Sequence, residues 1–394
     1  MKFVLVGYGS RGDVEPCAAI AVELLRRGHD VSMAVPPNMV GFVESAGVTA
    51  VAYGPDSQAL QHDQDFVGDV AAKMQNPMSL LPEVIGRVNQ AWEQKIAALT
   101  PAADGADLLL AGLPEQRLAA NVAEYQGIPL VGLHVFPAQV TSLGWLHEHI
   151  TKEAEDAQRR VLGLPEATEP SAPLEIQAYD AICLPELAAE WADGRRPFVG
   201  ALTLGLPTQT DDEVLAWIQS GTPPVYFGLG STPIAAPADL VAMISDACAQ
   251  LGERALVCGG PNDFTRIPHD ENLKVVAEVN HAANFPACRA VVHHGGSGTT
   301  AAALRAGVPM CILWLWLDQP LWAAAVNRLK VGSGRPFSAT TAQTLVEDLR
   351  SILTLQCAAR AGEIATQMTR AAESAASAAD LLENTARRVS ASAL

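Results

Sequence analysis

The chain reads as short, wholly apolar runs separated by longer stretches with helical periodicity. Residues 3–6 are apolar at every position, which predicts a parallel strand buried on both faces. Residues 7–12 follow as a glycine-containing loop. Pro16 then sits just inside a helical segment, 17–27, and Gly28 closes it. Residues 31–35 form the next predicted strand. A strand, loop, helix and strand in this order imply a parallel sheet with a right-handed crossover.

The same plan recurs past the middle. Residues 225–229 read as a strand, Gly230-Ser231-Thr232 as a loop, 238–251 as a helix ended by Gly252, and 255–258 as a strand. The expected fold is therefore α/β, with two Rossmann-like domains in tandem. Residues 195–224, rich in Gly, Pro and Thr, read as the linker. Within the first half, 83–99 places Ile85, Val88, Trp92, Ile96 and Leu99 on one helical face, and 130–135 reads as another buried strand. The Ala-rich tail, 371–389, is predicted helical, with no apolar stripe wide enough for a coiled coil. It is expected to pack back onto the body.

Length and charge narrow the possible roles. A chain of 394 residues accommodates two cores. Its 43 acidic against 26 basic residues give a formal charge of −17, which disfavours nucleic acid and anionic membranes but leaves room for a small phosphate ligand held by backbone N–H groups. The cysteines, at 17, 183, 248, 258, 288, 311 and 357, form no CxxC pair, so neither a zinc site nor a disulfide framework is expected. The N-terminal apolar run is too short for a signal peptide. The longest apolar run elsewhere, 308–317, has ten residues, against about 20 for a membrane-spanning helix. A cytoplasmic protein with no transmembrane segment is expected.

Two glycine loops carry the candidate chemistry. Gly7-Tyr8-Gly9-Ser10-Arg11-Gly12 matches GxGxxG between a strand and a helix, a dinucleotide signature when taken alone. However, the second strand ends Ala34-Val35-Pro36, without the acidic residue that holds a ribose, and Asp30 lies at its opposite end. Asp13 and Glu15 at the helix start would also repel a pyrophosphate. Asp13, at the C-terminal end of a strand, stands where a general base belongs, or else caps the helix.

The second loop, His293-His294-Gly295-Gly296-Ser297-Gly298-Thr299, leaves a short apolar strand and opens an Ala-rich helix predicted over 300–306. N–H groups at a helix N-terminus, small hydroxyls and an imidazole together suit a diphosphate; the alternative is a tight turn in which the glycines serve only packing. A further strand, 309–317, ends at Asp318-Gln319-Pro320, with Trp322 and Asn327 on the helix that follows. Asp318 and Gln319 can grip vicinal sugar hydroxyls, or Asp318 can serve as a cap with Pro320 in the first turn.

Taken together these residues resemble glycosyltransferase family 1, of the two-Rossmann GT-B fold, and most of all the actinobacterial enzymes that act on glycopeptide and macrolide antibiotics and on mycobacterial glycopeptidolipids. The segment from Gly9 to Val14 with Pro16 is similar to that group's N-terminal signature. His293 to Thr299, Gly307-Val308-Pro309 and Asp318-Gln319-Pro320 are similar to its donor signature. The match is weakest between about 55 and 200. Asp13 takes the place of the plant-type catalytic His, and Trp314-Leu315-Trp316-Leu317 is more apolar than in the antibiotic enzymes.

The resemblance implies two Rossmann-like domains facing across a cleft, with 1–205 binding the acceptor, 206–394 binding the nucleotide sugar, and the last helix crossing back. It implies Asp13 as base. Ser10, Arg11, Gly12 and Ser231 are implied to touch the donor, and His293, His294, Gly296, Ser297, Gly298 and Thr299 to hold the diphosphate. Val279, with Asn280 and His281, would meet the nucleobase, while Asp318 and Gln319 would hold the sugar. The implied reaction is inverting, metal-independent transfer of a hexose or 6-deoxyhexose from a dTDP- or UDP-sugar to a hydroxyl of a lipophilic natural product or glycolipid. The nucleotide sugar is a co-substrate, and no cofactor is expected. A nucleotide-sugar epimerase of the same fold and a non-catalytic auxiliary protein are the alternatives.

Between residues 53 and 200 lie Phe66, Met74, Met78, Trp92, His134, Phe136, Trp145 and Trp191, with few charges. Such a set suits a bulky apolar ligand or a core. His134 and Phe136, at the end of the 130–133 strand segment, are the expected acceptor contacts in the cleft. His147-Glu148-His149 has the wrong spacing for a metal-binding helix face, and Asp63-Gln64-Asp65 has the DxD form but follows no strand, so no metal site is expected. No G-x-S-x-G occurs, and nothing supports a covalent mechanism.

Overall fold

The first sheet is built from the apolar runs. Its elements are β1 (Lys2–Val6), α1 (Arg11–Arg26), β2 (Asp30–Val35), α2 (Val40–Ser45), β3 (Thr49–Ala52), α3 (Leu81–Ala102), β4 (Leu108–Gly112), α4 (Gln116–Gln126), β5 (Leu130–His134), α5 (Gly144–Leu162) and β6 (Leu174–Gln177). This computed structural model describes residues 1–58, 81–138, 144–166, 174–234, 236–260, 262, 264, 267 and 271–392. The six strands are all parallel, in the order β3-β2-β1-β4-β5-β6. Both faces of each central strand are covered. Phe3 and Leu5 pack with Val14, Cys17 and Ile20 of α1, whereas Val4 and Val6 pack with Trp92 and Leu99 of α3 and Leu118 and Val122 of α4. That two-sided burial explains why these strands lack polar alternation.

The second sheet repeats the plan. It comprises α6 (Asp211–Gln219), β7 (Val225–Gly228), α7 (Pro237–Leu251), β8 (Ala255–Cys258), β9 (Leu273–Val276), α8 (His281–Asn284), β10 (Ala290–His293), α9 (Ser297–Ala306), β11 (Met310–Trp314), α10 (Gln319–Leu329), β12 (Gly332–Pro336), α11 (Ala342–Ile352) and α12 (Leu355–Ala365). Its order, β12-β11-β10-β7-β8-β9, is the first sheet's order with β7 in the place of β1. In each sheet the strand order reverses beside the first strand, between β1 and β4 and between β7 and β10. Loops leaving the C-terminal ends of such a strand pair diverge and leave a crevice for ligands.

Met1–Ala178, Glu190–Leu204 and Ala371–Leu394 form one compact unit, and Tyr179–Ala189 with Gly205–Arg370 the other. Neither unit is one continuous stretch of chain, unlike the halves 1–205 and 206–394. The last helix, α13 (Ala371–Ser392), belongs to the first unit: Ala378, Ala379, Leu382 and Ala386 complete the core on the α1 side. Arg27 clamps it through Asp380 at 2.6 Å and Glu383 at 3.2 Å, and His29 Nε2 lies 2.8 Å from Glu383 Oε1.

Most expected elements shift by a residue or more at their ends, and three of the boundaries bear on the candidate site. Helix α1 starts at Arg11 rather than 17, because Ser10 and Asp13 form a capping box that starts the helix early. Pro16 lies inside it and forgoes only the bond to the Gly12 carbonyl. Strand β11 stops at Trp314 rather than 317 because the Gln319 side chain takes the next two N–H groups, and Leu317 adopts φ 54°. Helix α9 begins at Ser297, three residues before 300, so Ser297, Gly298 and Thr299 form its first turn.

Candidate active site

In the first unit the crevice end of β1 is occupied by Asp13. The Ser10 backbone N–H donates to Asp13 Oδ2 at 2.7 Å and the Ser10 hydroxyl donates to the same atom at 3.0 Å. Oδ1 has no protein partner among the described residues. The cap therefore uses one oxygen of the carboxylate and leaves the other free, so capping does not exclude a second role for Asp13. Gly9 sits at φ +136°, and a Cβ built on it would collide with Oδ2. Burial pushes the Asp13 pKa up; the Ser10 hydrogen bonds pull it back, and the negative charge of Glu115 adds to the rise. Arg11 is engaged locally: its Nε pairs with Glu15 Oε2 at 2.7 Å, and its guanidinium stacks 4.9 Å from the Phe42 ring centroid. Gly12 lies in the first turn of α1.

Behind Asp13 lies a polar cluster that sequence reading missed. Glu115, only 3% exposed, follows β4. Its Oε1 accepts from Lys95 Nζ at 2.6 Å and its Oε2 from the Tyr53 hydroxyl at 2.5 Å. Lys95 also sits 3.5 Å from the Tyr8 ring centroid. Burial, with Glu115 and Asp56 nearby, pushes the Tyr8 pKa up to about 12. No motif marks these residues. The available signal was a carboxylate after a wholly apolar strand, which gains meaning only once β4 is known to neighbour β1.

In the second unit the β10–α9 loop folds around two imidazoles. His293 is fully buried; its Nδ1 accepts the Gly295 N–H at 3.1 Å, and Nε2 has no partner among the described residues. Burial, reinforced by His294 and His281, holds its pKa well below the ordinary value. Its side chain shapes the loop from beneath. The His294 ring lodges between two glycines. A Cβ on Gly230 would lie 2.6 Å from His294 Cε1, and one on Gly296 would lie 2.6 Å from Nε2. Burial pushes the His294 pKa down to about 4, against a weaker pull from the Gly228 backbone; the ring is neutral at pH 7, and its buried Nδ1 makes no hydrogen bond among the described residues, so its one N–H is uncommitted. Ser297, Gly298 and Thr299, half-buried, present the N–H groups of the first turn of α9 beyond its N-cap, Gly296. Such groups lack intrahelical partners and attract anions. Ser231, half-buried, follows Gly230 in the loop after β7.

Around this loop the remaining donor candidates are held by local bonds. Val279 is buried, and the Asn280 N–H next to it donates to Asp211 Oδ1 at 2.8 Å. His281 stacks on Phe285 at 4.4 Å and meets the Tyr226 hydroxyl at 3.2 Å. Asp318 is the N-cap residue of α10 but makes no side-chain cap; its Oδ2 accepts instead from the Trp322 indole at 2.6 Å. Gln319 Oε1 accepts from the Leu315 and Trp316 N–H groups at 2.7 and 3.2 Å, leaving Nε2 without a protein partner among the described residues. Gly295 packs against Gln319, where an added Cβ would come within 3.1 Å of Gln319 Cβ, so this residue adjoins the histidine loop. Trp316 and Leu317, 50% and 55% exposed, project from the turn it holds.

His134 is 3% exposed at the end of β5, with Nε2 3.2 Å from Gln116 Nε2; burial pushes its pKa down to about 4. Phe136, two residues on, is half-buried. Trp92 donates to Gln158 at 2.9 Å and Trp191 stacks on Phe198, both in the core. Asp63, Gln64, Asp65, Phe66, Met74 and Met78 lie outside the described residues, as do the side chains of Trp145, His147, Glu148 and His149. Among the described residues no cluster of three metal-ligating side chains occurs, and no helix is long and apolar enough to cross a membrane.

Comparison with known proteins identifies the family and agrees with the fold of two parallel-sheet domains. Residues 3–105 match the glycosyltransferase family 28 N-terminal domain, and residues 255–386 the erythromycin biosynthesis protein CIII-like C-terminal domain. An uncharacterised glycosyltransferase of Mycobacterium bovis is 55% identical, over 98% of this chain and 100% of its own. The vancomycin aglycone glucosyltransferase of Amycolatopsis orientalis is 30% identical over 93% of each chain. The crystal structure of glycosyltransferase VinC in complex with dTDP superposes with a TM-score of 0.70 at 19% identity, covering 98% of this chain and 100% of that one.

Proposed function

The chain belongs to the GT-B glycosyltransferases of the antibiotic type, and on that premise we propose that it moves a hexose or 6-deoxyhexose from a dTDP- or UDP-sugar to a hydroxyl of a lipophilic acceptor. The observation that carries the reading is the His294–Thr299 loop. A neutral imidazole is wedged between Gly230 and Gly296, beside three first-turn N–H groups, which is what a diphosphate needs. Asp13 takes the proton of the acceptor hydroxyl, whose oxygen attacks the anomeric carbon with inversion. The bond from that carbon to the diphosphate oxygen breaks, and the nucleoside diphosphate leaves onto the loop. The N-terminus of α9 and the His294 N–H offset the leaving-group charge, so no metal is required. His293, Gly295 and Gly296 shape the loop, while Ser10, Arg11, Gly12 and Ser231 line the donor. Val279 meets the base, Asp318 and Gln319 the sugar, and His134 and Phe136 the acceptor. All seven cysteines are described, and each is free, which fits a reducing cytoplasm.

Two measurements test this. UDP and dTDP should raise the melting temperature while NAD does not; saturation at about 100-fold Kd contributes near 2.7 kcal/mol. Asp13→Asn should lower turnover by about 10²–10⁴-fold with nucleoside diphosphate binding retained. Full turnover by Asp13→Asn removes the base, and epimer or free sugar formed from donor alone replaces transfer with another reaction.

A further inference from the structure

The turn between β11 and α10 carries an exposed apolar pair. Trp316 and Leu317 are 50% and 55% exposed and adjacent in sequence, whereas Tyr125, Val161, Leu355 and Val389 stand singly on the described surface. Single exposed apolar residues are ordinary; a tryptophan and a leucine side by side need a reason. The pair is also held in place. The buried Gln319 side chain accepts from the Leu315 and Trp316 N–H groups, and the Gln319 N–H donates to the Trp316 carbonyl at 3.3 Å. Leu317 is thereby kept at φ 54°, which disfavours a bulky side chain. Lys330, the other described non-glycine residue at positive φ, closes α10 as an ordinary left-handed cap, but Leu317 ends no helix. Backbone strain maintained beside candidate ligand-binding residues points to function.

Strands β10 and β11 are parallel neighbours, so this turn and the histidine loop leave the same edge of the sheet side by side, and Gly295 packs against Gln319. We propose that the Trp316–Leu317 turn is the apolar wall of the sugar subsite, and that the donor it fits is a 6-deoxyhexose. The inference rests on the reading of Asp318 and Gln319 as the sugar-holding pair. On that reading, a sugar joined to a diphosphate on the histidine loop comes up against this turn. A pyranose is amphipathic, with hydroxyls round its rim and C–H bonds on its faces. The turn is amphipathic in the same way: Asp318 and the Gln319 Nε2 donor suit the rim, and Trp316 and Leu317 suit the C–H surface. A methyl group at C5 gains from burial against such a wall, whereas a hydroxymethyl group has to leave water without a new partner. Apolar sites separate ligands that differ by one hydroxyl by up to about 10²-fold.

The experiment is isothermal titration of the full chain with nucleotide sugars that differ by one oxygen: dTDP-glucose against dTDP-6-deoxyglucose, dTDP-galactose against dTDP-6-deoxygalactose, and the same pairs on UDP. Free dTDP and UDP are the references. In at least one pair the 6-deoxy member should bind roughly 10- to 100-fold more tightly. Trp316→Ser should erase that preference and leave the affinity for free dTDP and UDP unchanged, while Trp316→Phe should keep it. Leu317→Gly should weaken the preference although its melting temperature holds or rises, because glycine accepts φ 54° without strain. Equal binding within every pair overturns the inference, as does a preference that survives Trp316→Ser. Equal weakening of free nucleotide and nucleotide sugar by Trp316→Ser also overturns it, since the turn would then only support the loop. Failure of the underlying reading looks different: Gln319→Glu binds every nucleotide sugar as tightly as wild type, and the sugar lies elsewhere.

Discussion

Replacing His294 with Ala tests the part of the proposed donor site whose geometry is best defined. The ring is neutral at pH 7, because burial pushes its pKa down to about 4, so it offers a diphosphate an N–H donor rather than a charge. A hydrogen bond to a charged group contributes about 1.5–3 kcal/mol. Its loss should weaken UDP or dTDP binding roughly 10- to 150-fold at about 1.4 kcal/mol per decade. The ring contacts Gly230 and Gly296, which have no side chains to fall into the space it leaves, so the loop should loosen without refilling. Isothermal titration with the nucleoside diphosphate and with the nucleoside separates two causes. A donor role costs affinity for the diphosphate alone, and His294→Asn, which keeps an N–H, should recover part of it. If nucleoside and diphosphate weaken equally, the ring only shapes the loop; if neither weakens, the diphosphate lies elsewhere.

Gly9→Ala forces a side chain into left-handed space at φ +136° and against Asp13 Oδ2. Strain of this kind costs about 1–3 kcal/mol; turnover should fall towards that of Asp13→Asn while dTDP or UDP affinity, read by titration, stays unchanged. Gln319→Ala leaves the Leu315 and Trp316 N–H groups without their acceptor, so the melting temperature should fall by the equivalent of about 1–3 kcal/mol. Gln319→Glu keeps an acceptor oxygen and should restore most of that loss, yet raise the donor KM, because the free Nε2 donor is gone; equal melting of both variants would remove the turn-holding role.

What the sequence determined by itself was local in origin. Wholly apolar runs of four to five residues fixed buried parallel strands, since only a strand covered on both faces tolerates them. Glycines before small hydroxyls fixed a helix start that can hold an anion, because that depends on the backbone of consecutive residues. The candidate positions Asp13, His294 and Asp318–Gln319 could be picked out because each lies in a short local motif. Element ends were less so: capping by Asp13 and by Gln319 moved the starts and stops of α1 and β11, and a side chain's choice of partner is not written in periodicity. Only the tertiary structure showed that His293 lies beneath its loop with no exposed surface, a distinction invisible between two adjacent histidines. The Lys95–Glu115–Tyr53 cluster was beyond sequence reading altogether. Its members are brought together by the strand order β3-β2-β1-β4, and a contact between residues 62 apart exists only after the sheet has chosen that order.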